Sequence, residues 1–142
     1  MAGLRAFNRE SLNACPCLPS TGYLIVPIGA TGAVGTLQQF KGNSVKSVTR
    51  NSAGNYTVVF NPPSLFMRPF ILAQIHKAAV DDANVSISYD VGSYAVAANG
   101  ETSIILFCSG VTALADTTVI AADPVDGSEI HLSWMEPRIK VS

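Results

Sequence analysis

The sequence predicts an all-β chain: an antiparallel β-sandwich of about 6–8 short strands with an extended N-terminal arm. Three observations predict it. In residues 45–60 (VKSVTRNSAGNYTVVF), two runs of β-branched and aromatic residues flank Asn51-Ser52-Ala53-Gly54-Asn55. Glycine and asparagine tolerate the positive φ of a tight reversal, so this stretch reads as a hairpin with a loop of about five residues. Beyond it, turn residues recur at intervals of roughly 8–12, and no long stretch repeats at the helical period.

Residues 1–42 read as an arm and 43–142 as one sandwich domain. The arm holds Pro16, Pro19 and Pro27 and a run rich in glycine (Gly29, Gly32, Gly35). Proline removes donors and glycine raises the entropic cost of order, which argues against packed elements. Yet Leu4, Phe7, Leu12, Leu18, Tyr23, Leu24, Ile25, Val26 and Ile28 make it too apolar for ordinary disorder. Two readings stand: an arm lying along a neighbouring subunit, or a short edge strand at 23–26 with loops folding back on their own domain.

In the hairpin, Tyr56, Val58 and Phe60 share one face and Thr57 and Val59 the other. The first strand alternates less cleanly, with Lys46, Val48 and Arg50 opposite Val45, Ser47 and Thr49. Asn61-Pro62-Pro63 ends the second strand, because proline cannot donate to a ladder. Residues 70–75 (FILAQI) are nearly all apolar, as a central strand would be. Val85, Ile87 and Tyr89 alternate with Ser86, Ser88 and Asp90, a strand with one buried face. A short strand at 93–96, an apolar one at 102–108 and a weak one at 117–120 follow. The last, Ile130, Leu132 and Trp134 alternating with His131 and Ser133, stops before Pro137.

Composition narrows the function. A chain of 142 residues suits one domain, able to bury roughly 68% of the surface it exposes when unfolded. Charged residues are 13%, about half the usual share of roughly 25%, which points to a surface covered by other protein. No apolar run approaches the roughly 18 residues of a membrane span, so no membrane partner is expected. The opening MAGLRAFNRESLNAC lacks the apolar core of a secretory signal, and a complete, intracellularly made protein is expected. The net charge of −1 conceals an imbalance: residues 1–80 carry seven bases and one acid, residues 81–142 nine acids and two bases. Either the two halves make a polar subunit, or they interleave within one sandwich and the charges mix. The bases are dispersed, without the clustering of a nucleic-acid groove, so no nucleic-acid partner is expected.

The residues that carry chemistry form no familiar site. Cys15, Cys17, Cys108 and a histidine would make four zinc ligands, but at no known zinc spacing. Reduced thiols are expected, with Cys108 a small buried hydrophobe. A structural role is expected for His76 and for His131, since no motif pairs either with a nucleophile. Asp123, Asp126 and Glu129 surround a glycine like a calcium loop but lack its alternate-residue spacing; turns explain them. Asn55-Tyr56-Thr57 and Asn84-Val85-Ser86 match the glycosylation acceptor pattern without a secretory signal to use it. No helix pattern follows the glycines at 29–35, so no phosphate cradle is expected. Neither enzyme activity, cofactor nor metal is expected.

Ser47-Val48-Thr49-Arg50, followed by Gly54-Asn55-Tyr56-Thr57-Val58-Val59-Phe60, resembles a hairpin recurring in β-sandwich structural proteins of tailed bacteriophages. Ala121-Ala122-Asp123-Pro124 before the strand at 130–134 is similar to the ending of the same domains. The resemblance spans about residues 43–135; the apolar insert at 62–69 and the arm depart from it. It implies a virion protein, made in the host cytoplasm and placed either in a tail-fibre tip or on the capsid surface as a decoration (cement) protein. A short chain opening on methionine, with an apolar arm and little charge, is expected to be the latter. Such proteins resemble homotrimers at local three-fold positions that bind the major capsid protein and stabilise adjoining capsomers. Ligands that bind only the assembled shell stabilise it, and many weak copies add through avidity. Phe7, Leu12, Leu18, Tyr23 and Leu24 are the candidates for capsid contact. The alternative is a tail-tip receptor- or glycan-binding module, with Tyr94 and Phe66 stacking on sugars rather than filling the core.

Overall fold

The computed structural model describes residues 20–40, 44–61, 70–78, 85–111 and 118–136. Ten strands lie among the described residues: β1 (Ser20–Pro27), β2 (Gln38–Phe40), β3 (Val45–Ser52), β4 (Asn55–Phe60), β5 (Phe70–His76), β6 (Ser86–Tyr89), β7 (Ala95–Val96), β8 (Thr102–Val111), β9 (Val119–Ala121) and β10 (Glu129–Glu136). Two antiparallel sheets form an all-β sandwich. One has the order β2-β1-β10-β5; the other has β3-β4-β8-β6, with β7 and β9 also pairing β8. The short strands expected at 93–96 and 117–120 form as β7 and β9, of two and three residues, and the three-residue β2 is the one not anticipated.

The core lies between the sheets. Tyr56, Val58 and Phe60 of β4 and Ile104, Leu106 and Cys108 of β8 face Leu24 and Val26 of β1 and Ile130, Leu132 and Trp134 of β10, all buried. Each large aliphatic or aromatic side chain removed from water contributes about 1.5–3 kcal/mol. Phe60 and Trp134 meet edge to face across the layers, centroids 5.2 Å apart at 73°. Trp134 pairs with Gly22, and a Cβ on Gly22 would lie 2.0 Å from the indole ring. The absent side chain is what seats the tryptophan.

The hairpin forms as expected, but its turn is tighter. Ser52 pairs with Asn55, leaving Ala53 and Gly54 as the turn, with Gly54 at φ +69°. The irregular alternation of β3 has a cause: the register shifts between Val45 and Ser47 opposite Phe60 and Val59. This bulge turns both Lys46 and Ser47 away from the core and leaves Val45 and Val48 buried.

Two other expectations are corrected. Residues 20–40 are not an arm. β1 lies between β2 and β10, pairs with β10 along its whole length and buries Leu24 and Val26, with Ile28 buried just past its end. Pro27 does not break it because it occupies the last position, and the glycine-rich run is the reversal that follows. There Gly29 N–H donates to Ala33 O at 2.8 Å around a 3-10 turn at Ala30–Gly32, with Thr31 at φ 55°. Residues 1–19 of the expected arm lie outside the described residues. Among the described residues β5 is an edge strand, not a central one: it pairs there with β10 alone, and Phe70 and Leu72 on its second face are exposed.

Candidate functional site

Antiparallel register lays out the outer face of the four-stranded sheet residue by residue. Met135 lies opposite Phe70 and Thr21, Ser133 opposite Leu72 and Tyr23, and Tyr23 opposite Phe40. One end of this face is apolar and open. Phe70 is 62% and Leu72 59% exposed, and Tyr23, Phe40 and Met135 are exposed beside them. The Tyr23 and Phe40 rings stand 5.7 Å apart, and a hollow of about 150 Å³ runs between Thr21, Phe70, Leu72 and Met135.

The other end is polar. Glu129 lies directly opposite His76, and His131, two residues on along β10, shares their face. The His76 and His131 rings stack, centroids 3.6 Å apart and 11° from parallel. His131 Nε2 is 2.8 Å from Glu129 Oε2, and its Nδ1 hydrogen-bonds the Tyr23 hydroxyl. A cavity of about 370 Å³ opens between Tyr23, Leu72, Gln74, His76, His131 and Ser133.

A second polar cluster lies at the hairpin and has a structural role. Asp123 accepts from Arg50 Nε (3.0 Å) and Nη2 (2.7 Å), from Gly54 N–H (2.9 Å) and from the buried Tyr56 hydroxyl (2.8 Å). Burial pushes the Asp123 carboxyl up, but the bonds from Arg50, Gly54 and Tyr56 outweigh it and hold the group below its ordinary value. Burial, then the bond to Asp123, raises the Tyr56 hydroxyl.

Comparison of the chain with protein-family models, curated proteins and solved structures finds no match. The site therefore rests on its own geometry.

Of the expected contact residues, Tyr23 is on the open face. Leu24 is not: it points inward and is fully buried, so the contact expected of it is corrected, because neighbours on one strand face opposite ways. Phe7, Leu12 and Leu18 lie outside the described residues, as do Cys15, Cys17, Phe66 and Asn84. Tyr94 packs half-buried against the core. Cys108 is buried in the six-stranded sheet, its thiol pushed up to about 12 by burial and by the Asp123 charge. His131 lies on the outer face of the other sheet, so the two make no nucleophile–base pair. The grouping of His76 with Glu129 and His131 is what sequence reading missed. Glu129 and His131 at i and i+2 of a strand were visible as sharing a face, but no local signal names β5 as the strand beside them.

Proposed function

We propose that this chain is a non-enzymatic structural subunit of a virion, a capsid decoration protein. It binds the assembled shell as a homotrimer and stabilises adjoining capsomers. One observation carries the reading: the open apolar end of the four-stranded sheet, where Phe70, Leu72, Met135, Tyr23 and Phe40 stand together without a charged side chain among them. Covering a side chain such as Leu72 on docking contributes up to about 1.5–3 kcal/mol before the costs of association, and repetition over a lattice adds avidity. The resemblance of the β3–β4 hairpin to tailed-phage structural proteins supports the virion setting. The occupant of the face is the major capsid protein, and the face takes over the gripping role that the sequence assigned to Leu24.

The test replaces Phe70 and Leu72 together by glutamate, two outward positions on an edge strand. The expected result is unchanged far-UV circular dichroism and lost occupancy on capsids of the phage that encodes the chain. Full occupancy of the variant, or antibody labelling of tails instead of heads on intact virions, overturns the proposal.

A further inference from the structure

We propose that His76, Glu129 and His131 form a binding site for a divalent transition-metal ion of the zinc class. The three side chains come from two paired strands on one face, and their ligand atoms all lie within 4.8 Å of one another. On a common zinc ion, with bonds of about 2.0–2.2 Å, ligand atoms stand roughly 3–4 Å apart. Closing that small gap takes only side-chain rotation. His76 is exposed on an edge strand, and Glu129 has 42% of its side chain open to solvent. The donor set, two imidazoles and one carboxylate, is that of sites which keep a further position for water, and imidazole favours zinc, copper, nickel and iron over calcium or magnesium.

The surroundings match what such a site requires. β10 is held on both sides, by β1 and β5, so two of the three ligands sit on a strand that cannot swing. His131 is the most enclosed of them, with 12% of its side chain exposed, and Tyr23 from β1 holds its Nδ1. A metal-bound histidine donates its other ring N–H to a neighbour that fixes ring and tautomer. The Tyr23 hydroxyl fills that position, since a phenol accepts as readily as it donates. Without metal, the tautomer with a proton on Nε2 donates to Glu129. With metal on Nε2 the same proton resides on Nδ1, the Tyr23 oxygen accepts it, and Glu129 turns from hydrogen-bond acceptor to ligand. The stacking of the His76 and His131 rings keeps both imidazoles on the same side of the sheet, beside Glu129.

Calorimetric titration of the full chain with zinc alone, under reducing conditions, tests this. One ion per chain is expected, with an affinity lowered at least tenfold by His76→Ala and by His131→Ala, and about tenfold by Tyr23→Phe. His76 is exposed, so its variant keeps the fold, which circular dichroism verifies. With cobalt in place of zinc, the spectrum should show d–d bands without sulfur-to-metal charge transfer. No saturable zinc binding, affinity unchanged in His76→Ala, or a cobalt–thiolate band placing the ion on cysteines would each overturn the assignment.

Discussion

Asp123 is the residue whose loss should cost the most for the fewest atoms removed. In Asp123→Ala, Gly54 N–H loses its acceptor beneath the hairpin turn, and the Tyr56 hydroxyl keeps only the Gly32 carbonyl, 3.2 Å away. Gly54 N–H left unsatisfied costs about 1–3 kcal/mol and the Tyr56 hydroxyl, still bonded to Gly32, loses about 1 kcal/mol, so together about 2–4 kcal/mol. The Arg50 guanidinium adds little. Its side chain is 32% exposed and can be rehydrated, so about 1 kcal/mol at most belongs to the ion pair. The expected loss is about 2–5 kcal/mol, read as a lowered urea midpoint at constant m value. Asp123→Asn keeps one acceptor in place and should lose roughly half of that. A cycle with Arg50→Met should return a coupling of only about 1 kcal/mol, because the turn amide and the tyrosine carry most of the effect. The pH dependence has a definite sign. A carboxyl held below its unfolded value of about 3.9 stabilises fully above that pH, and the stabilisation fades as pH falls through the folded value. Acid should therefore destabilise the wild type more steeply than Asp123→Asn. A loss under about 1 kcal/mol in Asp123→Ala, or parallel acid curves for the two proteins, would refute the reasoning.

Three further outcomes are expected. Gly54→Ala should abolish the folded state, since its Cβ would lie 2.2 Å from the Cys108 carbonyl oxygen at φ +69°; circular dichroism within about 1 kcal/mol of wild-type stability would contradict this. Thr31→Asn should stabilise by about 0.5–1 kcal/mol, because a β-branched residue at φ 55° is strained where asparagine is tolerated; a lowered melting temperature would count against it. In a Cys15→Ser/Cys17→Ser background, Cys108 should be alkylated only as fast as the protein unfolds, so rates should climb with urea. Native-state labelling at the rate of an open thiol contradicts that.

How far the fold could be read depended on whether a residue's partner was local. Tyr56, Val58 and Phe60 declare their buried face by alternation alone, and Gly54 declares the reversal. β1 was obscured because Tyr23-Leu24-Ile25-Val26 is apolar on both faces. With an open face bearing Tyr23 and a buried one bearing Leu24, alternation disappears and proline and glycine dominate the reading. β5 misled in the same way. An edge strand with phenylalanine and leucine on its open side is indistinguishable by pattern from a central strand buried on both. Both misreadings fall on strands of one sheet, and for one reason: its outer face is apolar where water-facing residues are the rule. The candidate site was illegible for a different cause. His76 and Glu129 are 53 positions apart in the chain and adjacent only through the β5–β10 register.

The imbalance of charge between the halves of the chain bears on that face. Arg50 pairs with Asp123 and Lys46 with Glu101, each joining the basic half to the acidic half. The strand order interleaves them in both sheets, β1 and β5 against β10 and β4 against β8. Charges that could have steered a polar partner are in part spent within the subunit, on the six-stranded side of the sandwich. The outer face of the four-stranded sheet is left with apolar side chains at one end and two histidines and a glutamate at the other. Apolar contact provides affinity with little direction, whereas a metal ion requires fixed bond lengths and angles. A face that combines the two can dock loosely by the first and be set in register by the second. Zinc and the apolar end would then act on one contact. The Phe70→Glu/Leu72→Glu variant should still bind zinc as the wild type does, while its capsid occupancy falls whether or not zinc is present.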